Sequence, residues 1–391
     1  MVRRRARPDG ITTPSACFRA ILFAGREALP EAWLAGPAGR MSARRIRASL
    51  GIQIALLLSL MLSACGTQTL APVACSSITN PERCIEPRLL PFEARMRDGY
   101  ALPFRRWGNT EQPGIIVLGL HGFNDYSQSF QPLGAHLAEH GITTYAFDQR
   151  GFGRTRARGR WHSCEQLTAD LRTLIRLLRA RYPQARLILI GESMGAAVAL
   201  SADAEAPLDI DGLVLIAPAV WSRASMPWYQ RAALALAANT VPGLRLTGEG
   251  IAITPSDNLP MLRAKGKDPL VIKATRVEAL WGITNLMDQA VAWPDAQRHR
   301  DRQPPTLILY GKRDSIIPPR AFCRFIDAVP RDAPAIQLQL YADGWHMLTR
   351  DLQGARVITD IATWLRGPTA LTGGGMIESS HEPLRELCER H

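Results

Sequence analysis

No two of the seven cysteines stand in C-x-x-C spacing, so zinc sites built on that spacing have no footing here. A comfortable membrane span is missing too. The apolar run Leu50 to Leu62 (LGIQIALLLSLML) is shorter than the roughly 20 residues that a hydrocarbon core requires. Lysine is absent from residues 1–64, where ten arginines against three acids leave a local net charge of +7. Of the chain's formal +12, only +5 therefore remains for everything that follows, which removes most support for a nucleic-acid partner. Apolar residues are what the chain has in quantity. At 46% of 391 residues they suffice for one large α/β core and exclude disorder as the overall class.

Arg44, Arg45 and Arg47 precede the apolar run, and Ser63-Ala64-Cys65 follow it. A charged region, a short apolar region and small residues before a cut site describe an export signal over 41–64. Leu62-Ser63-Ala64-Cys65 also resembles the bacterial lipobox, which implies diacylation of Cys65 and cleavage before it. An uncleaved signal anchor is the alternative, and the residues around Arg44-Arg45 give a twin-arginine signal little support. Met41 is the natural start, making 1–40 an upstream extension. On this reading the chain is a membrane-anchored lipoprotein of the bacterial cell envelope, facing the periplasm or the exterior, with residues 65–87 as a polar tether. Once Cys65 is lipidated and Cys17 is lost, Cys75, Cys84, Cys164, Cys323 and Cys388 remain. Five is odd, so at least one is free or paired between chains. Cys75 and Cys84 are spaced to close a small disulfide loop, which export permits.

From about residue 88 strands and helices alternate, the pattern of a mostly parallel sheet covered on both faces. Phe92 to Met96 and Tyr100 to Trp107 flank Asp98-Gly99, a hairpin turn signal. Gly114 to Leu120 is a buried strand ending in His121-Gly122-Phe123-Asn124-Asp125, and a helix is expected over Asn124 to His140. A strand at Thr143 to Phe147 leads into Asp148-Gln149-Arg150-Gly151-Phe152-Gly153, where Asp148 and Arg150 are expected to hold the loop. Glu165 to Tyr182 repeats as an amphipathic helix.

The centre of the chain is Arg186 to Leu200, RLILIGESMGAAVAL. An apolar strand runs into Gly191-Glu192-Ser193-Met194-Gly195 and then into an Ala-rich helix, the order of a nucleophile elbow. The glycines remove side chains that would collide in so sharp a reversal, and Ser193 stands at a helix N-terminus whose free N–H groups favour developing negative charge. After the strand Gly212 to Ile216 the alternation stops. Residues 220–300 read as a helical cap over the site, lined by Trp221, Met226, Trp228 and other large apolar side chains. It resumes at Pro305 to Tyr310, followed by Asp314, and at Ala335 to Tyr341, followed by His346. Asp301, Asp332 and Asp343 are rivals by type, but none directly follows a buried strand as Asp314 does. His299 lies in a charged run, and His381 and His391 lie in a tail, 367–391, expected to be flexible. Ser193, Asp314 and His346 thus fall in the chain order of a hydrolase triad.

The stretches HGFND, FDQRGFGRT, GESMG, KDPLV (Lys267 to Val271), YGKRD and DGWH resemble the α/β-hydrolase superfamily, in its monoacylglycerol lipase and lysophospholipase-like branch. The resemblance extends over roughly residues 90–366 and implies an α/β-hydrolase core at 88–219 and 301–366. It implies Ser193 as nucleophile, His346 as base, Asp314 as its orienting acid, and the N–H groups of Phe123 and Met194 as the oxyanion hole. Phe123 is bulkier than the small residue common after HG, which bears on the shape of the acyl pocket. His121 is expected to be structural. No metal or organic cofactor is required, and the implied substrate is a small amphiphilic ester, a monoacylglycerol or lysophospholipid. A short-chain carboxylesterase and a proline-type aminopeptidase share the architecture, although no acidic subsite for a peptide amino group is evident. A non-catalytic envelope scaffold is the reading outside enzymes.

Overall fold

Asp98-Gly99 makes a turn in which Gly99 takes φ +72° and the Asp98 carboxylate accepts the Tyr100 N–H at 3.0 Å. This hairpin opens the folded body in the computed structural model, which describes residues 84–248, 253–298, 300, 303–330, 335–367 and 384–389. The export signal, Cys65 and Cys75 lie outside the described residues, as do His299, Asp301, Asp332, His381 and His391.

The strands are β1 (Arg88–Leu89), β2 (Glu93–Arg95), β3 (Ala101–Trp107), β4 (Ile115–Leu120), β5 (Thr143–Phe147), β6 (Arg186–Glu192) and β7 (Gly212–Ile216). They continue with β8 (Arg245–Thr247), β9 (Ala274–Arg276), β10 (Thr306–Gly311) and β11 (Ile336–Tyr341). Among the described residues the main sheet runs β1-β2-β3-β5-β4-β6-β7-β10-β11. Pairing is antiparallel from β1 to β5 and parallel from there to β11. All the parallel strands therefore deliver their carboxyl ends, and the loops after them, to one edge.

Burial follows the period-2 geometry of a strand. Ile188, Ile190, Val214 and Ile216 pack with α1 (Gln131–Glu139) and with Ile361 and Trp364 of a C-terminal helix, while Leu187, Leu189, Leu213 and Leu215 join a second cluster on the opposite face. The second cluster takes in α2 (Cys164–Arg181) and α3 (Met194–Glu205). Ser163 starts α2 by accepting the Gln166 N–H, with Glu165 in the first turn and Arg179 and Arg181 in the last, each matched to the helix dipole.

The first expected helix is shorter than its pattern suggested. Asn124 takes φ +62°, Asp125 closes a turn onto the Gly122 carbonyl, and a 3-10 turn covers Ser127–Phe130, so regular helix begins only at Gln131. The stretch expected as a cap divides in two. Helices α4 (Trp228–Thr240) and α5 (Leu259–Lys267) and the β8–β9 ribbon bury little of their own surface. Helices α6 (Val277–Ala290) and α7 (Trp293–Arg298) instead join the core: Leu286 accepts from Ser201 on α3, and Trp293, Gln297 and Arg300 all donate to Asp203. Helices α8 (Pro319–Ala328) and α9 (Gly354–Arg366) complete the layers.

The tail also departs from expectation. Residues 384–389 are helical, Leu387 is buried, and Cys388 is bonded to Cys323 of α8 across 65 residues of sequence. Cys84 is disulfide-bonded as well, and Cys164 is a buried free thiol.

Candidate active site

At the end of β6 the chain reverses into α3 through Ser193, which takes φ 52° and ψ −111°. That conformation is strained for a residue with a side chain. Its surroundings impose it: a Cβ on Gly195 would press on the Leu120 carbonyl, and one on Gly191 would press on the Ala196 backbone. The Ser193 N–H is taken by the Ile216 carbonyl of β7 at 2.9 Å.

His346 follows β11 and Asp314 follows β10, two neighbouring parallel strands, and the structure brings both to Ser193. His346 Nδ1 donates to Asp314 Oδ2 at 2.7 Å, which leaves Nε2 to accept from Ser193 Oγ at 2.9 Å. The other oxygen of Asp314 accepts the N–H groups of Ile316 and Ile317 at 2.8 and 2.9 Å, so the carboxylate is fixed before it orients the ring. All three side chains are buried. Burial works against a charged imidazole, but the Asp314 carboxylate outweighs it through its charge and its hydrogen bond, with Glu192 adding to the effect and Arg350 opposing it. The net pKa of His346 is raised above the ordinary histidine value.

Met194 directly follows the serine, and Phe123 directly follows Gly122 of the HG loop. Met194 begins α3, and the HG loop lies so close that a Cβ on Gly122 would stand 3.4 Å from Ser193 Cβ. The Met194 N–H stands in the first turn of α3, where helix N–H groups lack an intrahelical acceptor. Two donors there can serve a nascent oxyanion. The Phe123 ring packs edge-on to Phe152 and tilted to Trp161.

His121 is structural in its contacts. Its Nδ1 donates to the Gly122 carbonyl at 2.8 Å, its Nε2 accepts the Gln149 N–H at 2.9 Å, and burial lowers its pKa, keeping it neutral. Asp148 accepts the Ser127 and Arg154 N–H groups, and Arg150 pairs with Asp98 at 2.6 Å and Asp170 at 2.7 Å. Both hold the loop, as the sequence suggested. Sequence reasoning missed a buried ionic chain behind the triad: Lys265 of α5 on Asp125, Arg350 on Asp125, and Arg350 on Glu192. Its four members lie far apart in sequence, and the one local signal was the acidic residue inside GESMG. Among the described residues no group of three or more His, Cys, Asp or Glu side chains is placed to hold a metal ion.

A serine on a strand-to-helix turn, hydrogen-bonded to a histidine and through it to an acid at the edge of a sheet in this order, defines an α/β-hydrolase. The chain belongs to the Hydrolase_4 family (serine aminopeptidase, S33), whose profile matches residues 111–353. It is 25% identical over 280 residues to the rat (Rattus norvegicus) monoglyceride lipase, covering 71% of this chain and 90% of that protein. Similar folds occur in the Paleococcus ferrophilus monoacylglycerol lipase (TM-score 0.56, 23% identity, 68% of this chain and 98% of that one). A soluble variant of Saccharomyces cerevisiae monoglyceride lipase, solved with a substrate analogue, is similar too (TM-score 0.59, 22% identity, 72% and 96% covered).

Proposed function

We propose that this hydrolase cleaves carboxylic esters of amphiphilic lipids, of the monoacylglycerol or lysophospholipid kind, through an acyl-enzyme on Ser193. The observation that carries the reading is the Ser193–His346–Asp314 relay, with contacts of 2.9 and 2.7 Å. His346 Nε2 takes the Ser193 proton as Oγ attacks the ester carbonyl, and Asp314 stabilises the resulting imidazolium. The Phe123 and Met194 N–H groups hold the oxyanion, and His346 returns the proton to the departing alcohol. Water, deprotonated by the same imidazole, then releases the fatty acid.

Two further observations favour a lipid ester. Most of the exposed large apolar side chains fall in 228–259, with Trp228 72% and Leu236 61% exposed, giving the outer cap an apolar face. The lipases to which the chain is similar act on monoglycerides by their names. The family's description favours a second reading, an aminopeptidase. Against it, the carboxylates of Glu192 and Asp125 beside the site are already paired with Arg350, and Asp125 also with Lys265.

Among the described residues no helix is long and apolar enough to cross a membrane. On this reading attachment rests on a diacylated Cys65 in a bacterial envelope, which incorporation of labelled palmitate into the wild type and not into Cys65→Ser would test. The activity is tested with glycerol monoesters of increasing chain length. Each buried CH₂ should improve kcat/KM by about 0.8 kcal/mol until the pocket is full. Activity confined to the shortest esters would reassign the protein as a short-chain carboxylesterase, and turnover of amino-acid amides alone would reassign it as an aminopeptidase.

A further inference from the structure

Besides the Asp314 loop after β10, three loops carry the groups of the site: 121–125 after β4, the elbow after β6, and the loop after β11. One side chain of the third loop bonds to both of the others. Arg350 lies four residues beyond His346; its Nη1 donates to Asp125 Oδ2 at 2.8 Å and its Nη2 to Glu192 Oε1 at 2.6 Å. Asp125 is two residues from Phe123, and Glu192 immediately precedes Ser193. The guanidinium side chain is 9% exposed and its partners 5% and 6%, so this bridge lies inside the protein, away from solvent screening.

We propose that Arg350 is a positioning residue for ester hydrolysis, a rigid fork that holds the oxyanion loop and the nucleophile elbow at a fixed spacing from the loop of His346. Only a planar guanidinium can do this, because its two terminal nitrogens diverge at a set angle, whereas an ammonium is a single point of charge. The outer cap joins the same assembly. Lys265 of α5 pairs with Asp125, the Asn258 amide donates to the Arg350 carbonyl at 2.9 Å, and Ile272 donates to the Asn124 carbonyl at 3.0 Å. A displacement of α5 would therefore be felt at the Phe123 N–H through Asp125. Arg350 does not touch the reacting atoms, and its effect lies in where the donors stand when charge develops.

The inference rests on the Ser193 reading, and its test keeps the two apart. Arg350→Lys retains the charge and removes the fork. With p-nitrophenyl butyrate, and rates normalised to folded enzyme by near-ultraviolet circular dichroism, kcat should fall about 10- to 100-fold while KM stays within about threefold. The rate of labelling by a fluorophosphonate should fall in parallel. Glu192→Gln keeps the shape and removes a charge that favours the His346 imidazolium, so the acid limb of kcat/KM should move to lower pH as kcat drops. Wild-type kcat and labelling rate in Arg350→Lys overturn the proposal. If that variant does not fold, an unmoved acid limb and unchanged kcat in Glu192→Gln overturn it instead. Wild type that labels while Ser193→Ala does not keeps the Ser193 reading intact whatever Arg350→Lys shows. Wild type that neither labels nor turns over would sink that reading, and this one with it.

Discussion

On the proposed mechanism Ser193, His346 and Asp314 set the pH dependence. A raised His346 pKa means that the imidazole is protonated over more of the acidic range, and an imidazolium cannot accept the serine proton. kcat/KM for an ester should therefore rise with pH through an apparent pKa above histidine's ordinary ~6.5 and then level off, as a buffer series in constant ionic strength would reveal. A midpoint well below that value would contradict the Asp314 contact. Asp314→Asn should keep the fold but favour the wrong imidazole tautomer, lowering kcat by about 10⁴-fold. Stopped assays with high enzyme concentration can follow so slow a reaction. That these three side chains meet was legible because each directly follows a buried strand. The Arg350 fork was not: Asp125, Glu192 and Arg350 carry no shared spacing, and only the packing of three loops makes them neighbours.

At the scale of elements, the elbow depends on two missing side chains. Gly195→Ala would push a methyl group into the Leu120 carbonyl on β4, and backbone cannot swing away as a flexible side chain can. A loss of about 1–3 kcal/mol in denaturant unfolding is expected, together with slower fluorophosphonate labelling as Met194 shifts. The loop after β5 depends on Arg150, which is 3% exposed, pairs with Asp98 and Asp170, and stacks 4.0 Å over Tyr100. Arg150→Met would leave two buried carboxylates without their cation, at a cost of about 3–5 kcal/mol in the same unfolding measurement. Strand and helix positions were readable from periodicity, since a strand buried on both faces is apolar throughout and a surface helix repeats every 3.6 residues. Two elements differ from the pattern for a common reason. Positive φ at Asn124 delays α1, and the burial of α6 against α3 makes it core rather than cap; neither leaves a mark in hydrophobic pattern alone.

For the whole molecule, the Cys323–Cys388 bond fastens the end of the described chain to α8. Cys388→Ser should lower stability by about 2–5 kcal/mol without abolishing activity, because the bond closes a long loop and touches none of the reacting groups. Thermal unfolding with and without reductant measures it: the wild type should fall further than the variant, which has only the Cys84 bond left to lose. An unchanged melting temperature would mean that residues 384–389 stay docked through Leu387 alone.

Sequence by itself determined the α/β alternation, the elbow and the order of serine, acid and base. Those features are local: a steric reversal needs its glycines within a few residues, and a strand must bury the side chains it carries. Tertiary structure alone decided that Cys323 bonds Cys388, which half of the 220–300 stretch packs into the core, and that Arg350 joins three loops. These depend on distances between atoms far apart in the chain. Coulombic attraction and disulfide geometry act through space, so they take their partners from the folded arrangement of the strands.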